Sequence, residues 1–158
     1  AAYRSIRIKQ MSRPDQPKLD LLHCFGALST TRIRDSVLLG DTESNSLIYP
    51  AGRHIGVRNL STSELDFIRE PQNVTHVTAI GISHDKNRRF LAVAEAMENQ
   101  ESPIVSVIDL KGGSFFKRMR PLGFHEMQSL EFKTVCFSAD SRLVAAVGGA
   151  PDYVGVMW

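Results

Sequence analysis

The chain has little of what marks the easily read classes of protein. Its 158 residues include two cysteines, Cys24 and Cys136, and no Cys-x-x-Cys pair. That spacing argues against a disulfide scaffold and a cysteine-held metal, so both thiols are expected to be reduced and buried. The histidines His23, His54, His76, His84 and His125 share no ligand spacing. No apolar run approaches the ~20 residues of a membrane-spanning helix. Gly148-Gly149-Ala150-Pro151-Asp152 lacks the Lys-Ser/Thr of a phosphate loop and reads as a hairpin turn. Ser83-His84-Asp85 spells the letters of a catalytic triad, but adjacent residues point in different directions, and triads are set by geometry. Asn59-Leu60-Ser61 and Asn73-Val74-Thr75 fit the glycosylation pattern. With no visible signal peptide, they read as chance matches in an intracellular chain.

Charge is equally quiet. The net charge of +2 is unevenly placed: residues 1–18 carry Arg4, Arg7, Lys9, Arg13 and Lys18 against Asp15, leaving the remainder at −2. This basic arm reads as a solvated tail, with an acidic surface such as tubulin or nucleic acid as the alternative contact. The chain opens Ala1-Ala2 without an initiator Met, and a processed or partial product is expected.

What the chain does have is a repeat. Val77-Thr78-Ala79-Ile80-Gly81-Ile82 leads into Ser83-His84-Asp85, then Phe90-Leu91-Ala92-Val93-Ala94, a loop, and Ile104-Val105-Ser106-Val107-Ile108-Asp109-Leu110. The same order returns in Thr134-Val135-Cys136-Phe137, Ser138-Ala139-Asp140, Leu143-Val144-Ala145-Ala146-Val147, a Gly-Pro turn, and Tyr153-Val154-Gly155-Val156-Met157-Trp158. Each copy is strand, tight Ser-x-Asp turn, strand, longer loop, strand. Ser and Asp side chains bond nearby main-chain N–H groups and hold such reversals. Continuous apolar runs predict burial on both faces, as in a sheet stacked between sheets.

A weaker copy lies upstream, in Ser36-Val37-Leu38-Leu39, Ser46-Leu47-Ile48-Tyr49 and His54 to Leu60. Val57, Val107 and Met157 fall at equal steps of fifty residues, a period that signals a propeller. A β-sandwich of similar hairpins fits the same spacing. Leu65-Asp66-Phe67-Ile68 and Ser114 to Met119 read as outer, fourth strands, and Phe124 to Leu130 as a short helical or loop excursion. Leu19–Phe25 reads as a possible ring-closing strand. Ile82, Leu91, Val93, Val105, Val107, Val135, Phe137, Val144 and Ala146 are the expected core.

Ile82-Ser83-His84-Asp85 and Phe137-Ser138-Ala139-Asp140 resemble the Phe-Ser-Pro-Asp turn of WD-repeat proteins. Ile108-Asp109 stands where the Trp-Asp pair falls, and Trp158 matches its Trp; the Gly-His pair is missing, so the likeness is to a divergent member. More narrowly, Phe25-Gly26, Leu47 to Gly52, Ala79 to Ser83, Arg88 to Glu95 and Val135 to Ser141 are similar, in that order, to the start of axonemal WD-repeat proteins of the cilia- and flagella-associated class. The resemblance implies an all-β, WD40-type β-propeller of which about two and a half blades are present: approximately 33–70, 74–120 and 132–158, within a domain 19–158 behind the arm 1–18. Ser83, Asp85, Ser138, Asp140, Asp109 and Trp158 are then structural residues of the blade turns. It further implies a non-catalytic scaffold of the cytoskeleton that anchors inner dynein arms on doublet microtubules. Its expected partners are axonemal proteins and the rest of its own propeller, with no cofactor, metal, nucleic acid or membrane. A scaffold of another intracellular complex, a propeller accessory to an enzyme, and a small autonomous β domain are the alternatives. As an N-terminal piece of a longer propeller, the chain alone is expected to be oligomeric, partly unfolded or insoluble.

Overall fold

The computed structural model describes residues 37–40, 45–69, 71–112 and 116–158. The basic arm 1–18, the strand expected at Leu19–Phe25, and Cys24 lie outside them. Among the described residues, twelve strands form three antiparallel sheets. The first sheet holds β1 (Leu38–Leu39), β2 (Ser46–Ala51), β3 (His54–Asn59) and β4 (Leu65–Ile68), in that order. The second holds β5 (Val74–Ile82), β6 (Phe90–Met97), β7 (Ile104–Asp109) and β8 (Lys117–Arg118). A further strand, β9 (Leu122–Gly123), pairs with the other end of β7. The third holds β10 (Phe132–Phe137), β11 (Val144–Gly148) and β12 (Gly155–Met157). Within each sheet, β9 apart, each strand follows its neighbour through a short reversal, which antiparallel pairing permits.

The register repeats from sheet to sheet. Ile82 faces Leu91 across the Ser83–Asp85 turn, and Phe137 faces Val144 across the Ser138–Asp140 turn. The third strands keep step: Val57 sits opposite Ile48, Val107 opposite Ala92, and Met157 opposite Ala145. Trp158 continues the last ladder by exchanging main-chain bonds with Val144 at 2.9 and 3.0 Å. The outer strand expected from Ser114 to Met119 is ordered as β8, with residues 113–115 outside the described set. Phe124 to Leu130 is a loop, and β9 just before it was not foreseen.

A bulge recurs at equivalent places. The β5–β6 register shifts between Val77 and Ala79, and the β10–β11 register shifts between Phe132 and Thr134. With strict alternation, residues three apart fall on opposite faces of a strand. The extra residue puts Val77 and Ile80 on one face, and likewise Phe132 and Val135.

Two apolar cores lie on either side of the second sheet. Toward the first sheet, Val77, Ile80, Leu91, Val93 and Ile108 meet Ile48, Ile55 and Ile68. Toward the third sheet, Ala79, Ala92, Ala94 and Val105 meet Phe132, Val135, Phe137, Val144 and Ala146. The second contact has a polarity: small side chains on the second sheet receive bulky ones from the third. Gly81 takes it furthest, since a Cβ there would stand 2.6 Å from the Val135 carbonyl oxygen. Fully burying one Val, Leu, Ile or Phe side chain contributes about 1.5–3 kcal/mol, so these two seams hold the stack together. Leu91, Val93, Val105, Val135, Phe137, Val144 and Ala146 are buried as expected, while Ile82 and Val107 pack half-buried at the margins. Cys136 departs from expectation. It is exposed, because it points from β10 to the face of the third sheet that no described residue covers.

Candidate functional site

The Ser-x-Asp turns close the ends of the hairpins at one rim. The Ser83 hydroxyl donates to the Asp85 carboxylate and accepts from Phe90 N at 3.0 Å. Asp85 in turn accepts from Arg89 N at 3.2 Å. The second turn repeats the pattern: the Ser138 hydroxyl donates to Asp140 at 2.5 Å and accepts from Leu143 N at 3.0 Å. One hydroxyl thus serves both arms of the reversal, which an Ala cannot do. His84, between Ser83 and Asp85, is exposed and joins no relay with them.

The turns are also tied to each other. Ser141 Oγ accepts from His84 N at 2.8 Å and Asp85 N at 3.1 Å, bridging the second and third sheets. Arg88 Nη1 donates to the Leu39 carbonyl at 3.0 Å, bridging the second and first. Asp109, at the position of the Asp in the Trp-Asp pair, grips Arg89 with two-pronged geometry: Nη2 at 2.6 Å and Nε at 3.0 Å. Trp158 packs edge-on against Phe132 with ring centroids 5.9 Å apart.

These bonds act on the carboxyls. Asp109 is held below the ordinary carboxylate value chiefly by the Arg89 guanidinium, and Arg89 is raised in return. For Asp85, burial pushes upward, but the Ser83 hydroxyl and main-chain amides outweigh it and the carboxyl ends low. Asp140 is lowered first by Ser138, and Asp152 first by Ser129.

Between the first and second sheets, at this same rim, lies a cleft of about 360 Å³. Its floor is apolar, from Ile48 and Val57 of the first sheet and Leu110 and Phe116 of the second. The row Ile48–Val57–Asp66 crosses β2, β3 and β4 in register, so all three project toward the second sheet. Its apolar members lie inside and Asp66 stands at the open edge, exposed. The opposite wall carries Arg88, Arg89 and Lys111. Asn59 forms the lip: its Oδ1 accepts from Ser61 N at 2.8 Å and Thr62 N at 3.0 Å, a turn-forming role for that Asn-x-Ser match.

Deeper in the same seam is a buried ion pair. Glu95 is almost wholly buried, accepts from Arg118 Nη1 at 2.8 and 3.0 Å and from the Ser106 hydroxyl at 2.6 Å. Arg118 Nη2 donates at 3.0 Å to the Arg69 carbonyl, carrying the network across to the first sheet. Breaking one side of such a pair typically costs about 3–5 kcal/mol, because the other charge stays buried.

Sequence reasoning named the turn residues but missed Ser141, Arg88, Arg89, Glu95 and Arg118. One signal was available: Glu95 interrupts Phe90-Leu91-Ala92-Val93-Ala94 and Ala96 in a strand otherwise apolar, and a buried carboxylate demands a partner. The Ser129–Asp152 contact, with Gln128 N on Asp152 Oδ2 at 2.6 Å, had no signal at all. Among the described residues no group of three or more His, Cys, Asp or Glu is placed to hold a metal.

Stacked antiparallel meanders of four, five and three strands, the second and third closed by Ser-x-Asp turns and the third strands fifty residues apart, give this chain the fold of a WD40-type β-propeller. No protein-family model matches the chain, and no curated protein matches it either. Among solved structures, it is similar to a chain in the crystal structure of a mitotic checkpoint complex, with a TM-score of 0.51 and 16% identity. The match covers 96% of this chain and 57% of that one, so this chain spans a little over half the length of its structural neighbour. At that identity the likeness concerns the fold alone.

Proposed function

We infer that this chain is a docking scaffold, a propeller segment that binds other proteins through its loops and performs no chemistry of its own. One observation carries the reading. The rim turns are pinned internally by Ser83–Asp85 and Ser138–Asp140 and to one another by Ser141 and Arg88. Exposed Lys86, Asn87 and Arg142 are therefore presented on a rim of fixed shape. Variable side chains on a rigid frame suit protein recognition. Its partners are other proteins and the remainder of its own propeller; nucleic acid and membrane have no part in this reading.

The dispersed motifs support a finer placing. Their order over roughly residues 21–158 is similar to the start of cilia- and flagella-associated protein 57. On that footing the protein is a cytoskeletal scaffold of the ciliary or flagellar axoneme that anchors inner dynein arms on doublet microtubules and supports motility. A scaffold in another intracellular complex is the second reading; the solved neighbour of like fold belongs to a mitotic checkpoint complex. Tagging the endogenous full-length protein in ciliated cells and extracting axonemes separates the two. Retention on axonemes and co-release with inner dynein arms is the expected result. Absence from axonemes with recovery in another multisubunit complex sinks the ciliary placing and keeps the scaffold. A protein that fractionates alone at its monomer mass sinks both.

A further inference from the structure

We propose that the cleft between the first and second sheets docks an extended segment of a partner protein. The segment inserts one apolar side chain, with a basic residue on one side of it and an acidic residue on the other. This rests on the scaffold reading and gives it a site. The floor of Ile48, Val57, Leu110 and Phe116 is a place for an apolar side chain, and the cleft of about 360 Å³ has room for one or two residues of a partner.

Charge complementarity sets the rest. Asp66 makes no hydrogen bond or ion pair among the described residues, and neither does the Lys111 ammonium. Lys111 acts only at a distance, helping to hold the Asp109 carboxyl low. The other two cations of that wall are engaged, Arg89 by Asp109 and Arg88 by the Leu39 carbonyl. An unmatched carboxylate on the first-sheet wall thus faces an unmatched ammonium on the second-sheet wall, across an apolar floor. In an extended peptide, residues two apart share a face at roughly 6.5–7 Å. A basic residue, an apolar residue and an acidic residue at alternate positions therefore enter together, the basic one at Asp66 and the acidic one at Lys111. The two charges set which way a given peptide lies, because turning it end for end exchanges them.

The test uses the full-length protein and fluorescein-labelled, end-blocked pentapeptides with serine spacers and a central leucine. One carries lysine at one end and glutamate at the other, a second carries glutamine at both ends, and a third carries glutamate at both. Anisotropy titration is expected to give saturable binding of the lysine–glutamate peptide and about tenfold weaker binding of the glutamine peptide, the scale of an interfacial charge contact. The variant D66K makes both walls basic and is expected to reverse the ranking of the lysine–glutamate and the double-glutamate peptides with an unchanged melting temperature, since the side chain is exposed. No saturable binding, equal binding of the charged and glutamine peptides, or a ranking that survives D66K overturns the cleft assignment. If axonemal or other partners still co-fractionate in that case, the scaffold reading stands and only its site is wrong.

Discussion

The second and third sheets are written in nearly the same letters and live in different surroundings. Phe90-Leu91-Ala92-Val93-Ala94 and Leu143-Val144-Ala145-Ala146-Val147 occupy equivalent second strands. In the second sheet both faces are covered, and Leu91 through Ala96 are buried without a break. In the third, burial alternates: Val144 and Ala146 are buried, while Ala145 is half-buried and Val147 is 41% exposed. The rows that pack backward onto the previous sheet match: Leu91 with Val144, Val93 with Ala146, Ile108 with Trp158. The forward rows differ only in what lies over them. Ala92, Ala94 and Val105 sit under the third sheet, whereas Ala145, Val147 and Gly155 lie on an uncovered face along with Met157, 67% exposed. An apolar run therefore encodes the capacity to be sandwiched, and the neighbouring sheet decides whether it is.

The largest effect should come from placing a charge on the forward row of each sheet. Ala94→Asp buries a carboxylate between two sheets with no partner and should cost about 4 kcal/mol or more, enough to prevent folding. Val147→Asp, at the equivalent place in the third sheet, should stay within about 1 kcal/mol while that face is open. Paired thermal melts measure the difference. If Val147→Asp is as damaging as Ala94→Asp in the assembled protein, the forward face of the third sheet is covered there too.

The seam itself is tested by emptying it from one side and crowding it from the other. Phe137→Ala removes a buried ring that the third sheet inserts against the second and should cost about 3–5 kcal/mol. Gly81→Ala adds one methyl group 2.6 Å from the Val135 carbonyl oxygen. Main chain cannot swing aside as a side chain does, so β10 must shift and about 1–3 kcal/mol should be lost. A denaturant midpoint unchanged by Gly81→Ala means the two strands are further apart than described.

The turns should make the comparison visible in acid. Asp85 and Asp140 both have lowered carboxyl values, so each stabilises the fold once pH is above the unfolded value of about 3.9. That stabilisation is lost as pH falls through the folded values. Stability should therefore be level from about pH 7 to 5 and decline below about pH 4. Asp85→Asn and Asp140→Asn should each flatten the decline, because each removes a carboxylate that its turn serine and main-chain amides hold low. Circular dichroism followed from pH 7 to 2 reads the slopes, and a variant whose decline matches that of the unaltered protein would contradict the role of its carboxylate.

Periodicity made the strand order, the tight turns and most of the core legible, because alternation and Ser-x-Asp chemistry are local. What stayed hidden depends on the neighbouring sheet. Ser141 looks like a loop serine until β5 and β10 are stacked and its hydroxyl meets His84 N. The bulges at Val77 and Phe132 leave the composition of a strand unchanged and alter only which residues share a face. Asp66 and Lys111 are unremarkable surface charges until the register places one above Val57 and the other across a cleft. Cys136 was read as buried for the same reason: a cysteine between Val135 and Phe137 looks like core, and its parity along β10 matters only once one face of the sheet is open.

That cysteine offers the mildest test. Cys136 occupies the forward position on β10 that Gly81 holds on β5, so the pair reports the same point on two sheets. Gly81 cannot take even a methyl group, whereas Cys136 carries an exposed thiol. Cys136→Ser exchanges one small side chain for another at a surface position and should leave stability within about 0.5 kcal/mol. In the unmodified protein the thiol should react with a water-soluble disulfide reagent as fast as in the unfolded chain, since exposure governs access. Strong protection of this thiol would show that something lies over the third sheet. The equivalence with Gly81 would then become literal: both positions would lie beneath a neighbouring sheet, and the contrast between a sandwiched sheet and an open one would disappear.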